Sequence, residues 1–379
     1  MRFEFSTAGR IIFGPGTISE LPALARTYGR RAFVVTGRDR IRRAGIIADL
    51  EGAGFHCTLF GVAGEPTVDL AVAGAVAARD SQADVVIAIG GGSVIDAGKA
   101  IGALATNAED PLEYLEVVGR GRPLRSAPLP FIAVPTTAGT GAEVTRNAVL
   151  AAQAHGGVKV SLRSPLMLPA VALVDPALTH SLPRELTATT GLDALTQLIE
   201  PFVSIRANPM TDALCREGIP LAARSLPAAV RNGRDAEARA GMSWGSLLGG
   251  MALANSGLGV VHGFAAPVGG MFQAPHGAVC AAILPHGVAA NIAALRARAP
   301  ESAALSRYDE IARMAGVTDC AAWLRQLVLE LGVPPLSHWG LRAADCAAVI
   351  EKASSASSMK ANPVELTPDE LRAIFAASL

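Results

Sequence analysis

The sequence predicts an α/β amino-terminal domain built on a doubly wound, Rossmann-like parallel sheet, followed by an all-helical carboxyl-terminal domain. Three observations carry this expectation. Short β-branched runs alternate with helical stretches as far as Asp175-Pro176, two of those runs end in glycine-rich turns, and beyond Pro176 strand signals become scarce.

Taken in order, "RAFVVTG" (31–37) and "ADVVIAIGGGS" (83–93) each read as a buried strand running into a glycine turn. "PFIAVPTTAGTG" (130–141) and "AVALVDP" (170–176) supply two further strands, with helices expected over 67–80 and 94–105. Such alternation places a ligand site at the carboxyl ends of the strands. The segment 181–204 and the stretches 209–231, 235–258, 302–315 and 319–331 carry helical periodicity. The boundary is expected near 178–182, giving domains 1–180 and 181–379. No repeat or low-complexity linker intervenes, so the two halves are expected to pack closely around a cleft.

A chain of 379 residues, half of it apolar and 17% charged, has ample material for two cores. Lys+Arg and Asp+Glu both total 33, a balance that argues against a nucleic-acid partner. "RTYGRR" and "RDRIRR" are taken as solvated helix faces. The five cysteines, odd in number and without CxxC spacing, read as reduced thiols of a cytoplasmic protein. The start, "MRFEFSTAGR", lacks the apolar core of a signal peptide. From Met242 to Leu295 no Asp, Glu, Lys or Arg occurs, but prolines, asparagines, histidines and glycines interrupt the stretch. Buried helices around a site are therefore expected, and not a membrane span.

"DVVIAIGGGSVIDAGKA" (84–100) is a strand, three glycines and a helix start. Gly90, Gly91 and Gly92 let backbone N–H groups approach a pyrophosphate, and the helix adds its positive end. Ser93 and Asp96 have capping-box spacing. The pattern is not G-x-G-x-x-G, and Gly98-Lys99 lacks the upstream spacing and the following Ser or Thr of a nucleoside-triphosphate loop. "PTTAGTGAEVT" (135–145) offers Thr136, Thr137 and Thr140 after a second strand. Two such turns on neighbouring strands can hold both ends of a dinucleotide.

In "GLDALTQLIEP" (191–201), Asp193 and Gln197 share a helix face at i, i+4. His262 and His276 follow in segments almost without charge. A buried carboxylate is costly unless paired or bound to a cation, and one carboxylate with two imidazoles makes up most of a divalent-metal site. Spacing alone leaves a metal site and a set of satisfied core polar groups both open. His56, His155, His180, His286 and His338 are read as satisfied core histidines.

"GGGSVIDAGKA", "VPTTAGTGAEVT", "LVDP", "TGLDALTQLIEPFVS", "GLGVVHGFAAPVGG" and "PHGAVCAAILPH" follow one another in order and spacing. Together they resemble the iron-containing (group III) alcohol dehydrogenases, which share the dehydroquinate synthase-like fold, over about residues 5–375. The resemblance implies an NAD(P)-binding first domain, a helical metal-binding second domain and hydride transfer in the cleft. It implies that Gly91, Gly92 and Ser93 hold the pyrophosphate, with Asp96 at the same turn, and that Thr136, Thr137, Thr140 and Lys159 contact the cofactor. Asp193, His262 and His276 become the catalytic metal ligands, for Fe²⁺ or Zn²⁺. Two family histidines are replaced here: Gln197 stands where a further ligand is expected, as a weak amide donor, and Ala266 where one lies beside the nicotinamide. Gly37 replaces the aspartate with which NAD-preferring relatives bind the ribose, and Arg38 stands ready for a 2′-phosphate, so NADP(H) should be accepted.

The leading expectation is thus an NAD(P)-linked, metal-dependent alcohol dehydrogenase or aldehyde reductase, acting on a small molecule as a homodimer or higher homo-oligomer. The alternatives are a maleylacetate reductase-like enzyme, against which the retained Asp193 counts, a lyase of the same fold, against which the scarcity of lysines counts, and a metal-free NAD(P)-binding paralogue. Ala266, with Phe264 and Phe272 as apolar wall, favours a substrate bulkier or less polar than glycerol.

Overall fold

The computed structural model describes residues 2–38, 43–155 and 158–379. The chain divides into two compact units: residues 7–137 with 141–179, and the stretch up to Ser6 with 138–140 and 180–379.

The first unit carries strands β1 (Arg10–Phe13), β2 (Arg31–Gly37), β3 (His56–Val62), β4 (Val85–Gly90), β5 (Phe131–Pro135), β6 (Asn147–Ala152), β7 (Val158–Arg163) and β8 (Val171–Val174). Six of them form a parallel sheet in the order β1-β8-β5-β4-β2-β3, while β6 and β7 pair antiparallel. The sheet strands read as continuous apolar runs because both faces are covered. Phe33, Val35, Val86, Ala88, Phe131 and Ala133 point one way, into a core shared with α3 (Val68–Asp80) and α4 (Gly92–Thr106). Their neighbours Ala32, Val34, Ile87, Ile89, Ile132 and Val134 point the other way, towards α1 (Leu21–Arg26) and α2 (Ala44–Gly52). This is the period-two alternation of a pleated strand with helices on both sides. Thr36 lies opposite Ile89 and Gly90 opposite Pro135, so β2, β4 and β5 end side by side.

The second unit is helical among its described residues: α5 (Arg184–Val203), α6 (Pro209–Arg231), α7 (Ala236–Ser256), α8 (Val260–Phe272), α9 (His276–Arg298), α10 (Ala303–Met314), α11 (Cys320–Leu331), α12 (Cys346–Ser355) and α13 (Pro368–Ala377). α5 is buried from Gly191 to Val203 and packs against α6, α7 and α9. The uncharged stretch becomes α7, α8 and most of α9. By length and composition α9 could cross a membrane, with a mean hydropathy of 1.7, yet 72% of that window is buried inside the unit. It is a core helix. α7 and α8 meet at 99°.

Three local expectations are corrected. "RTYGRR" is not a helix face: it runs from the end of α1 through a turn into β2, where Arg31 pairs with Asp84 at 2.6 Å. Residues 39–42 of "RDRIRR" lie outside the described residues. His56, His155 and His338 are exposed surface residues, and His180 is half-buried. The Ser93–Asp96 capping box does not form. α4 begins at Gly92 with Gly91 as its extended N-cap, which carries no side-chain bond and leaves Ser93 inside the first turn.

Candidate functional site

Asp193, Gln197 and Glu200 stand at i, i+4 and i+7 of α5, one stripe of the helix, and all three are buried. His262 is the third residue of α8 and His276 the first of α9. Packing of α8 and α5 against α9 brings them together. His262 Nε2 lies 3.3 Å, and His276 Nε2 3.7 Å, from Asp193 Oδ1. The two imidazole centroids are 5.4 Å apart. Cys280, one turn beyond His276, joins the group: one donor atom from each of Asp193, His262, His276 and Cys280 lies within 4.8 Å of all the others.

Glu200 fixes the tautomer. Its Oε2 lies 2.6 Å from His262 Nδ1, and its Oε1 accepts the Val261 N–H at 2.7 Å. The backbone comes this close because residue 259 is glycine; a Cβ there would lie 2.9 Å from Glu200 Oε1. With the proton on Nδ1, Nε2 presents a lone pair to the Asp193 carboxylate, the arrangement of a carboxylate–histidine–metal relay. The 3.3 Å approach lacks hydrogen-bond geometry: Asp193 Oδ1, His262 Nε2 and Gln197 Oε1 are all buried without a hydrogen-bond partner. Two lone-pair donors facing each other away from water require a cation, either a proton or a metal ion. The titration behaviour has the same cause. Burial pushes the Asp193 carboxyl up, but His276 and His262 outweigh it and hold it below its ordinary value. Burial pulls His262 down, yet Cys280, Asp193 and Glu200 raise it well above the usual imidazole range. The oxygen, nitrogen and sulfur donors fit a borderline divalent ion.

The glycine turns lie together in the first unit. Thr136 N donates to Gly90 O at 2.9 Å, and a Cβ on Gly91 would lie 3.2 Å from the Thr137 methyl. Gly91, Gly92 and Ser93 open α4, with Thr136 and Thr137 on the adjoining turn. Thr136 Oγ1 accepts from Arg43 at 3.1 Å. Thr140 falls in the stretch 138–140 that groups with the helical unit, where a Cβ on Gly139 would meet Thr190 at 2.8 Å. Gly37 ends β2 with nothing among the described residues within 4 Å of where a Cβ would stand, and Arg38 is exposed. Two residues of the expected cradle are otherwise engaged. Asp96 accepts the Val149 N–H at 3.0 Å and lies 3.2 Å from Lys99, while Lys159 pairs with Glu65 at 2.6 Å. Lys99 is fully buried and donates to Thr145 Oγ1 and to the Asn147 carbonyl, tying α4 to β6. That clamp explains a lysine after glycine without a triphosphate loop. Phe264 is fully buried, so it belongs to the core and not to a solvent-facing apolar wall.

Sequence reasoning missed Glu200 and Cys280. The signal was present as i+7 from Asp193 and i+4 from His276.

The sequence pattern described as "Iron-containing alcohol dehydrogenase" matches residues 8–176, and "Fe-containing alcohol dehydrogenase family, C-terminal" matches 187–379. The chain is 34% identical to a 1,3-propanediol dehydrogenase of Klebsiella pneumoniae, over 98% of each chain. It is also 34% identical to alcohol dehydrogenase 4 of Schizosaccharomyces pombe, over 97% of this chain and 87% of that one. Among solved structures, a 1,3-propanediol oxidoreductase matches with a TM-score of 0.91 at 32% identity and full coverage of both chains. A sulfoacetaldehyde reductase from Bifidobacterium kashiwanohense, in complex with NAD+, matches with a TM-score of 0.88 at 28% identity, over 100% of this chain and 99% of that one.

Proposed function

The chain belongs to the iron-containing alcohol dehydrogenase family, and from that premise we propose that Asp193, His262 and His276 hold its divalent ion, Fe²⁺ or Zn²⁺, for NAD(P)-linked interconversion of a small alcohol and its aldehyde or ketone. The observation that carries this reading is the pair of orphaned, buried donor atoms, Asp193 Oδ1 and His262 Nε2, facing each other 3.3 Å apart. When bound, such an ion supplies Lewis acidity that polarises a carbonyl or lowers the pKa of an alcohol.

The chain's own residues do the rest. Glu200 holds His262 in the tautomer that leaves Nε2 free to donate. Gln197 adds a neutral amide oxygen, a weaker donor than imidazole. In the 1–180 domain, read as the NAD(P)-binding part, the backbone at Gly91 and Gly92 with the Ser93 hydroxyl would receive the pyrophosphate at the α4 N-terminus. Thr136, Thr137 and Thr140 would flank it. Domain 181–379 is the metal-binding part. Because β2 is the hydrogen-bonded neighbour of β4, Gly37 and Arg38 stand where the adenosine ribose of a cofactor on the β4 turn is read. Position 37 itself carries no carboxylate to repel a 2′-phosphate, which supports acceptance of NADP(H). All five cysteines are unbridged, in keeping with a cytoplasmic setting.

The test is an NAD(P)H-oxidation assay over aldehydes and keto acids, run as purified, after chelation, and after restoring Fe²⁺ or Zn²⁺. Turnover should be lost on chelation and regained with the ion. Turnover indifferent to chelation would refute the reading.

A further inference from the structure

We propose that Cys280 is itself a ligand of the divalent ion in this chain, its thiolate supplying the strong donor that Gln197 does not. The inference rests on the reading of Asp193, His262 and His276 as ligands and changes the chemistry expected of their site.

Geometry comes first. Cys280 lies one helical turn beyond His276 on α9, so both side chains leave the helix on the same face. Its Sγ is 3.7 Å from His276 Nε2 and within 4.8 Å of the chosen donor atoms of Asp193 and His262. A tetrahedral ion with nitrogen and oxygen ligands at about 2.0–2.1 Å and sulfur at about 2.3 Å keeps its donor atoms roughly 3.3–3.7 Å apart. The Asp193–His262, Asp193–His276 and Cys280–His276 separations are 3.3, 3.7 and 3.7 Å. The unpartnered oxygen of Asp193 and nitrogen of His262, both buried, provide independent evidence that the cluster is arranged around a cation.

Donor chemistry supports the assignment. Asp193 and two neutral imidazoles leave a divalent ion with one net positive charge among its direct ligands, and an amide at 197 does not change that; Glu200, behind the His262 ring, offsets that charge without touching the ion. A thiolate adds an anionic donor in direct contact with the ion, a stronger ligand than the amide. Cys280 is fully buried; on coordination its thiol proton passes to solvent and sulfur keeps the electron pair. The softer donor shifts selection towards thiophilic ions, favouring Zn²⁺ over Fe²⁺. The same residue without a metal would be a buried thiol hydrogen-bonded to His276, and the two cases differ in a spectrum.

The experiment titrates the metal-free protein with Co²⁺ under anaerobic, reducing conditions and follows thiolate-to-Co²⁺ charge transfer in the near ultraviolet beside the visible d–d bands. Wild type should develop both until one equivalent is bound. Cys280→Ser, and Cys280→Ala should the serine variant fail to fold, should keep the d–d bands and lose the charge-transfer band. Wild type that binds Co²⁺ without charge transfer, or a band that persists in the variants, overturns the assignment of Cys280 and leaves the three-residue metal site standing. Wild type that takes up no Co²⁺ overturns both.

Discussion

On α5, Asp193, Gln197 and Glu200 share one stripe but occupy different electrostatic situations. Glu200 is satisfied by His262 and the Val261 amide, whereas Asp193 and Gln197 each bury an oxygen with no partner. Asp193, His262 and His276 were legible in the sequence because a charged or polar group surrounded by apolar residues must have a reason to be there. Glu200 was hidden among them, since spacing along one helix does not say which imidazole on another helix it meets. In the proposed donor set Gln197 is the weakest member. Gln197→His should restore an imidazole at that point and raise the metal retained through purification, read as ions per chain by elemental analysis. A variant that retains no more metal than wild type would show that position 197 does not face the ion.

At the scale of elements, strands β2, β4, β5 and β8 could be read from their apolar runs, and α5, α6, α7, α10 and α11 from their periodicity, whereas α12 and α13 were not anticipated. The four-residue β1, β3 and the β6–β7 hairpin were not anticipated. β6, "NAVLAA", is half alanine, so local propensity does not mark it as a strand; pairing with β7 and the bonds from α4 hold it. The capping box failed for a related reason: Ser-x-x-Asp specifies a cap only if the chain is extended at the serine, and here the extended residue is Gly91. Two predictions belong at this scale. The open end of β2 at Gly37 and exposed Arg38 should give a higher kcat/KM with NADPH than with NADH, and Arg38→Ala should reduce that ratio; equal or inverted values in wild type would remove the preference. Behind α4, burial raises the Glu143 carboxyl to about 7 from an ordinary 4.5. The folded state therefore holds a proton that the unfolded chain has released between those values, so this contribution is full below about 4.5 and falls as pH rises through about 7. At about 1.4 kcal/mol per pH unit, the loss is on the order of 3 kcal/mol. Glu143→Gln should flatten denaturation midpoints measured across that range, and an unchanged slope would contradict the assignment.

For the whole molecule, composition and motif order carried most of the information. The ordered motifs led to the family that both halves of the chain match, while equal totals of acidic and basic residues argued against a nucleic-acid partner. The uncharged stretch that resembles a membrane segment is instead the interior of the helical unit, with the α9 window 72% buried. The central claim is that this site binds a divalent ion through His262 and works only with it. The most direct measurement is calorimetric titration of the metal-free protein with Zn²⁺, for wild type and for His262→Ala, with NADPH binding and aldehyde turnover recorded on the same samples. One tightly bound ion per wild-type chain is expected, with binding and turnover abolished in the variant and NADPH binding nearly unchanged. Equal Zn²⁺ affinity in the two proteins, or full turnover by His262→Ala, would contradict it.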